Sequence, residues 1–325
     1  MKWKEPSNNH PFLFLPLTQG NPQCAQIDWV QSTAYKTPVT TKWLNIWNTP
    51  TLTSDTEICD SLIELIQPLI TLINLAQSSI DIHQKEQPHD LVTDADIGIE
   101  LLIRLWFSKH LPSHILIGEE TTKAPLSTEA PIWYLDPIDG TSNYSKNQAN
   151  YCLNIGSTYN NAPYINIVIL PRTGETYFST PTTSNYTLPN THTSALCTEF
   201  YPHRTKEASL FNELLKENQL TPHQTKAIGV SLFNMLQGHC TAFYKPFVKP
   251  WDIMTGAGIL ATHNFWDICF LKHNMDSHPL FANDPNFVTY LNTIYQQNCR
   301  IGHLIITPKN MPDLKNSIID KLRNL

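Results

Sequence analysis

The chain has 325 residues, 41% of them hydrophobic, enough to bury a substantial core in one large domain or two and too apolar for disorder along its whole length. Lys and Arg total 22 against 28 Asp and Glu, a net charge of -6, so nothing draws the chain as a whole to nucleic acid or anionic lipid. The expected partner is a small molecule or a protein.

Seven cysteines (Cys24, Cys59, Cys152, Cys197, Cys240, Cys269 and Cys299) are scattered and never form a C-x-x-C pair. That argues against a disulfide framework and a zinc knuckle, and a reducing, cytoplasmic setting is the simplest reading. The N-terminus "MKWKEPSNNHPFLFLPL" lacks a signal-peptide layout, although export by another route stays open. The longest apolar segment, Ser61 to Ile80, carries Glu64, Gln67, Pro68 and Asn74, too polar for a membrane span.

Residues 1–50 show no sustained period and read as an N-terminal extension, whose Trp29, Trp43 and Trp47 pack on the main body or meet a protein partner. "SDTE" then pairs Ser54 with Glu57 as a capping box, and Ile58, Leu62, Leu65, Ile66, Leu69, Leu72 and Ile73 follow at helical spacing, predicting a core-facing helix kinked at Pro68. A second helix is predicted from Asp96 to Lys109. "HILIGEE" reads as a strand ending in Glu119 and Glu120, and "PIWYLDP" as another stopped by Asp136-Pro137. Strands are expected over Tyr164 to Leu170, Glu175 to Ser179 and at "TAFY". Helices are expected over Glu207 to Glu217, Val230 to Gln237, "WDIMTGAGILATH", Asn286 to Gln297 and Met311 to Leu325. This mixture without a fixed period predicts an α/β or α+β enzyme-like fold over residues 51–325, with a sub-boundary near 180–195.

The stretch "WYLDPIDGTSNY" carries the chemistry. Asp-Pro and Asp-Gly are ordinary turn dipeptides, so a solvated turn is one reading. The other starts from charge: Asp136 and Asp139 lie within one turn at the end of an apolar strand, where a hard cation such as Mg²⁺, which takes oxygen ligands, relieves their repulsion. Gly140 and Thr141 then offer backbone N–H groups to a phosphate at the start of a following helix. Three further segments share the logic: "VTDAD", "GEE" and "KPWDIMTGAG", whose Gly256 and Gly258 let that helix approach another backbone closely. None of the 13 histidines forms an H-E-x-x-H pair, so they read as ordinary hydrogen-bonding groups.

"LVTDAD" (91–96), "IGEE" (117–120), "WYLDPIDGTSNY" (133–144) and "WDIMTGAG" (251–258), in this order, resemble the motifs of the inositol monophosphatase superfamily of magnesium-dependent, lithium-sensitive phosphatases. The resemblance implies a layered α-β-α-β-α sandwich and two or three Mg²⁺ ions. It places Glu119, Asp136, the carbonyl of Ile138 and Thr141 around the first ion, Asp136, Asp139 and Asp252 around a second, and Asp96 with Glu119 at a third, weaker one. It makes Thr141, paired with Asp96, the group that orients and helps deprotonate a metal-bound water for direct in-line attack. Gly140, Thr141, Ser142 and Lys245 fall at the substrate. Family members are often dimers, so a homodimer is implied as well.

The substrate end departs from the pattern. Lys245 in "FYKPFVKPWD" stands where relatives acting on inositol phosphates carry a glutamate that accepts hydrogen bonds from sugar hydroxyls. It reads either as a partner for a second anionic group or as a solvated lysine displaced by a local shift. Thr241 stands where an aspartate is common, and "LATHNFWDI" replaces an acidic, glycine-rich continuation. The reading is therefore a phosphomonoesterase acting on a small phosphorylated sugar or cyclitol. A 3'(2'),5'-bisphosphate nucleotidase, a fructose-1,6-bisphosphatase and a phosphatase-fold binding protein without catalysis are the alternatives.

Overall fold

In the computed structural model, described for residues 52–77, 82–84, 91–120, 129–190, 193–198, 205–272, 276–281 and 301–323, the capping box at Ser54 opens the first helix. The Ser54 hydroxyl accepts from Glu57 N at 3.2 Å while the Glu57 carboxylate accepts from Ser54 N at 3.0 Å, which satisfies donors the first turn leaves unpaired. Helix α1 (Asp55–Ala76) runs through Pro68. By length and composition α1 could cross a membrane, which the sequence reading had excluded on polarity, yet Leu62, Leu65, Ile66, Leu69 and Ile73 are wholly buried against α2 (Asp94–His110) and a sheet. It is a core helix. The extension 1–50 and the helix expected at Asn286 to Gln297 lie outside the described residues.

A short antiparallel pair, β1 (Ile82–Gln84) and β2 (Leu91–Thr93), leads into α2. The first large sheet contains β3 (Ile115–Gly118), β4 (Ile132–Asp139), β5 (Cys152–Tyr159), β6 (Ala162–Ile169) and β7 (Thr176–Ser179) in that order, with only β3 and β4 parallel. Helix α3 (Thr141–Tyr144) is a single turn between β4 and β5. Strand β4 does not stop at Asp136-Pro137: it continues to Asp139 through a register shift, because the β5 partner carries the pairing past the proline.

After β7 the chain changes sheets. The second sheet has the order β12-β11-β13-β10-β8-β9, built from β8 (Ala195–Thr198), β9 (Thr221–His223), β10 (Ala242–Val248), β11 (Trp266–Leu271), β12 (Ser277–Pro279) and β13 (Ile301–Pro308). Its helices are α4 (Thr205–Glu217), α5 (Ile228–Leu236), α6 (Pro250–Leu260) and α7 (Pro312–Arg323).

Three apolar cores order these elements into layers. One lies between α1–α2 and the first sheet, a central one gathers α5 and α6 between the two sheets, and a third lies between the second sheet and α4–α7. The result is the expected α-β-α-β-α sandwich. Close approach in the central layer explains two glycines: a Cβ at Gly256 would sit 2.6 Å from Leu232 of α5, and one at Gly258 2.6 Å from Asn166 of β6.

Cysteine spacing misled in one respect, since Cys197 and Cys240, 43 residues apart, are joined as a disulfide. Parallel pairing of β8 with β10 brings their surroundings together, and no local pattern announces a bond made through a sheet. The pairing removes the ground on which the cysteines pointed to a reducing compartment.

Candidate active site

Parallel β3 and β4 end side by side. Glu119 N donates to Leu135 O at 3.1 Å, extending the pairing one residue beyond β3 and setting Glu119 beside Asp136. The third carboxylate comes from α6, where Pro250 occupies the first turn and Lys249 N donates to Asp252 Oδ2 at 3.1 Å. Oxygens of Glu119, Asp136 and Asp252 all lie within 4.8 Å of one another. Asp136 is buried, and Glu119 and Asp252 are half-buried around it.

Electrostatics mark the cluster as unfavourable without a cation. Burial first, then repulsion from Glu119, Asp139, Asp252 and Asp96 in that order, push the Asp136 carboxyl well above the ordinary carboxylate range. Asp252 rises to about 8, through burial and then Glu119 and Asp139, while Lys249 N–H and the Lys245 charge pull it down. Asp139 rises to about 6 through burial, against the lowering effect of the Gly229 N–H.

The remaining predicted residues surround this trio. Asp96 is the third residue of α2, with Oδ2 accepting from Thr93 N at 2.8 Å and Thr93 Oγ1 at 2.5 Å. Thr141 Oγ1 lies 3.4 Å from Asp96 Oδ1 and 3.0 Å from the carbonyl of Ile138. Asp139, whose charge raises Asp136 and Asp252, has its oxygens accepting from Ile228 N at 3.2 Å and from Gly229 N at the start of α5. Gly140 turns the chain with φ 96, and a Cβ there would meet Asn150 O at 2.8 Å and Ala227 Cβ at 2.9 Å. Only glycine combines that turn with that space. Ser142 lies further out, its hydroxyl accepting from Lys146 Nζ at 3.1 Å.

Lys245 is only 6% exposed and acts electrostatically on Asp252, so the reading of it as a displaced, solvated lysine is overturned. Its place on β10, in register with Leu304 of β13, turns it inward with Phe243. Thr241 Oγ1 donates to Thr193 O, which commits that hydroxyl to the loop before β8.

Sequence reasoning missed Glu100. Its carboxylate is buried, pairs with Arg104 at 3.0 Å and accepts from Glu120 N at 2.9 Å, so it fixes the chain next to Glu119. Gly118 makes the room, since a Cβ there would sit 2.1 Å from the Glu100 carboxylate carbon. The only signal was an i,i+4 acid–base pair, which ordinarily marks an exposed helix face.

The layered fold and its convergent acids define a phosphoric monoester hydrolase. Residues 47–263 match the Inositol monophosphatase family, and the chain belongs to that family. It is 29% identical to mouse inositol monophosphatase 1 over 203 residues, which are 57% of this chain and 73% of the mouse protein. Tomato inositol monophosphatase 1 is 40% identical over 85 residues, 25% of this chain and 31% of that protein. Among solved structures, a staphylococcal IMPase-I complexed with products superposes with a TM-score of 0.63 at 18% identity, covering 79% of this chain and 92% of its own. An IMPase/NADP phosphatase complexed with NADP and Ca²⁺ gives 0.65 at 18% identity, covering 82% and 96%.

Proposed function

We propose that this phosphatase is magnesium-dependent and hydrolyses a small phosphorylated sugar or cyclitol by in-line attack of water. The observation that carries the reading is the meeting of Glu119, Asp136 and Asp252 within 4.8 Å. An all-oxygen donor set, buried and self-repelling, fits a hard divalent cation. Glu119, Asp136, the Ile138 carbonyl, Thr141, Asp139 and Asp252 would hold two ions, and Asp96 with Glu119 a third. Bound Mg²⁺ supplies neutralisation of charge on the phosphoryl oxygens and a lowered pKa for water.

The chain's own groups do the rest. Thr141 Oγ1, held between the Ile138 carbonyl and Asp96, orients the attacking water, and its hydroxyl passes a proton toward Asp96. Glu119, just past the end of β3, shares in holding that water. Gly140 turns β4 into α3, so the first N–H groups there, at Thr141 and Ser142, take phosphate oxygens.

Lys245 favours a particular substrate, one with a second anionic group such as a sugar bisphosphate, because a buried ammonium beside the acid cluster matches an anion and cannot accept from a hydroxyl. The test is phosphate release, with and without magnesium, from inositol 1-phosphate, fructose 1,6-bisphosphate, 3'-phosphoadenosine 5'-phosphate, histidinol phosphate and NADP. Magnesium-dependent release from the sugar or cyclitol phosphates is expected. Silence across the panel with metal bound would favour a binding role instead.

A further inference from the structure

The second sheet carries another cluster of reactive side chains, outside the carboxylate site. Parallel register sets Cys197 of β8 beside His223 of β9, so both side chains leave the sheet on one face. That face is the one covered by α5: Cys197, Cys240 and Phe243 join its core, whereas Leu196, Ala242 and Tyr244 join the core under α4 and α7. Cys240 immediately precedes Thr241, whose N–H donates to Ala195 O at 2.8 Å and ties this loop to the start of β8.

One ligand atom from each of Cys197, His223 and Cys240 lies within 4.8 Å of the others. Both cysteines are buried, while His223 is half-buried and gives the cluster a side toward solvent. The imidazole is braced by α5, its Nε2 2.9 Å from the side-chain amide nitrogen of Asn234; with that amide turned to set its oxygen against Nε2–H, the contact holds the ring and leaves the Nδ1 lone pair for a ligand. Cys197 Sγ lies 3.5 Å from Ser231 O of the same helix. The proposed phosphatase chemistry uses none of these groups.

We infer that Cys197, His223 and Cys240 form a second cation site, closed by the disulfide and opened by its reduction, that takes a soft divalent cation such as Zn²⁺. A dithiol reductant breaks the S–S bond, giving two electrons and two protons and becoming a disulfide itself. The two thiols formed release their protons to solvent as the cation binds, and the neutral imidazole donates a ring-nitrogen lone pair. Three protein ligands leave a fourth tetrahedral position for water. Sulfur and nitrogen donors here, and oxygen donors at the acids, sort soft from hard cations within one chain.

The test is a Co²⁺ titration of the full chain, reduced with a phosphine and saturated with Mg²⁺. Thiolate-to-cobalt charge-transfer absorption and visible bands of tetrahedral intensity are expected at one equivalent, bleached by Zn²⁺ and missing from the oxidised chain. Oxygen-bound cobalt at the acids gives no thiolate band. His223→Ala should weaken cobalt affinity by about tenfold or more while keeping magnesium-dependent phosphate release. Cys197→Ser and Cys240→Ser should each abolish the two-thiolate spectrum. If a serine variant does not fold, alkylation of the reduced wild-type chain replaces it: Zn²⁺ must protect both thiols, and the blocked chain must show no band. A reduced chain without the band, a band that survives Cys197→Ser, or thiols that Zn²⁺ leaves unprotected would each overturn the site and leave a structural disulfide.

Discussion

Asp139 belongs to the acid neighbourhood and to the packing of α5 at once, because its oxygens accept from Ile228 N and Gly229 N. Asp139→Asn turns one of those oxygens into an amide donor facing other donors. Magnesium-dependent phosphate release should fall on the order of 10²-fold, with a lower thermal midpoint; near-normal release would remove Asp139 from the proposed ligands. Lys245→Glu should weaken turnover of the best substrate selectively, and an equal loss on every substrate would count against a second-anion contact. Glu100→Gln keeps the side-chain volume but loses the charge that holds Arg104 and Glu120 N. Release should drop about tenfold through a displaced Glu119, read as a fall in kcat with KM little changed. The acids were legible in the sequence because they sit in short motifs. Glu100 was not, because its role depends on the space left by Gly118, which lies on a different element.

At the scale of elements, the acids occupy the places where a carboxylate is best tolerated. Asp96 and Asp252 are third residues of α2 and α6, and Asp139 meets the start of α5, where N–H groups and the positive end of the helix dipole offset burial. The helix announced by a local signal, the capping box at Ser54, was readable for that reason, whereas the box at Thr93 went unread and α2 begins at Asp94, two residues before the expected start. Strands β1, β2, β5, β8, β9, β11, β12 and β13 were not read. "CLNIGSTY" is buried on both faces apart from its last residue and mixes Asn154, Gly156 and Ser157 with apolar residues, so no alternation survives. β13 takes its register from β10 and β11, partners remote in sequence. The arrangement fixes a pH response. Asp252 at about 8 and Asp139 at about 6 stand above the ordinary 3.8, so the folded chain without metal holds protons that the unfolded chain releases. Its stability should fall as pH rises from 3.8 toward 8 and level off beyond. Magnesium held by the ionised acids, as proposed, would give a gain in thermal midpoint that is larger at about pH 8 than at about pH 5; a gain independent of pH would contradict these shifts.

Over the whole molecule, the disulfide and the acid cluster tie together parts that are distant along the chain. A bridge across 43 residues is worth about 4 kcal/mol in loop entropy, so reduction should lower the thermal midpoint, measurably by calorimetry with and without a phosphine. The order of layers, by contrast, could not be read from local pattern. It follows from three cores whose members are scattered from Ile58 to Leu322. The grip of Asp139 on the first N–H groups of α5 has a consequence for dynamics. The acids belong to α2, the end of β3, β4 and α6, with Glu119 one residue past β3, and Asp139 fastens a further helix of the central layer to them. A cation held there would be lost in any partial opening that parts those layers, so its binding energy would count against sub-global openings as fully as against complete unfolding. Amide exchange would then slow together, on adding magnesium, in helices on both faces of the first sheet, with no confinement to the loops that carry the ligands.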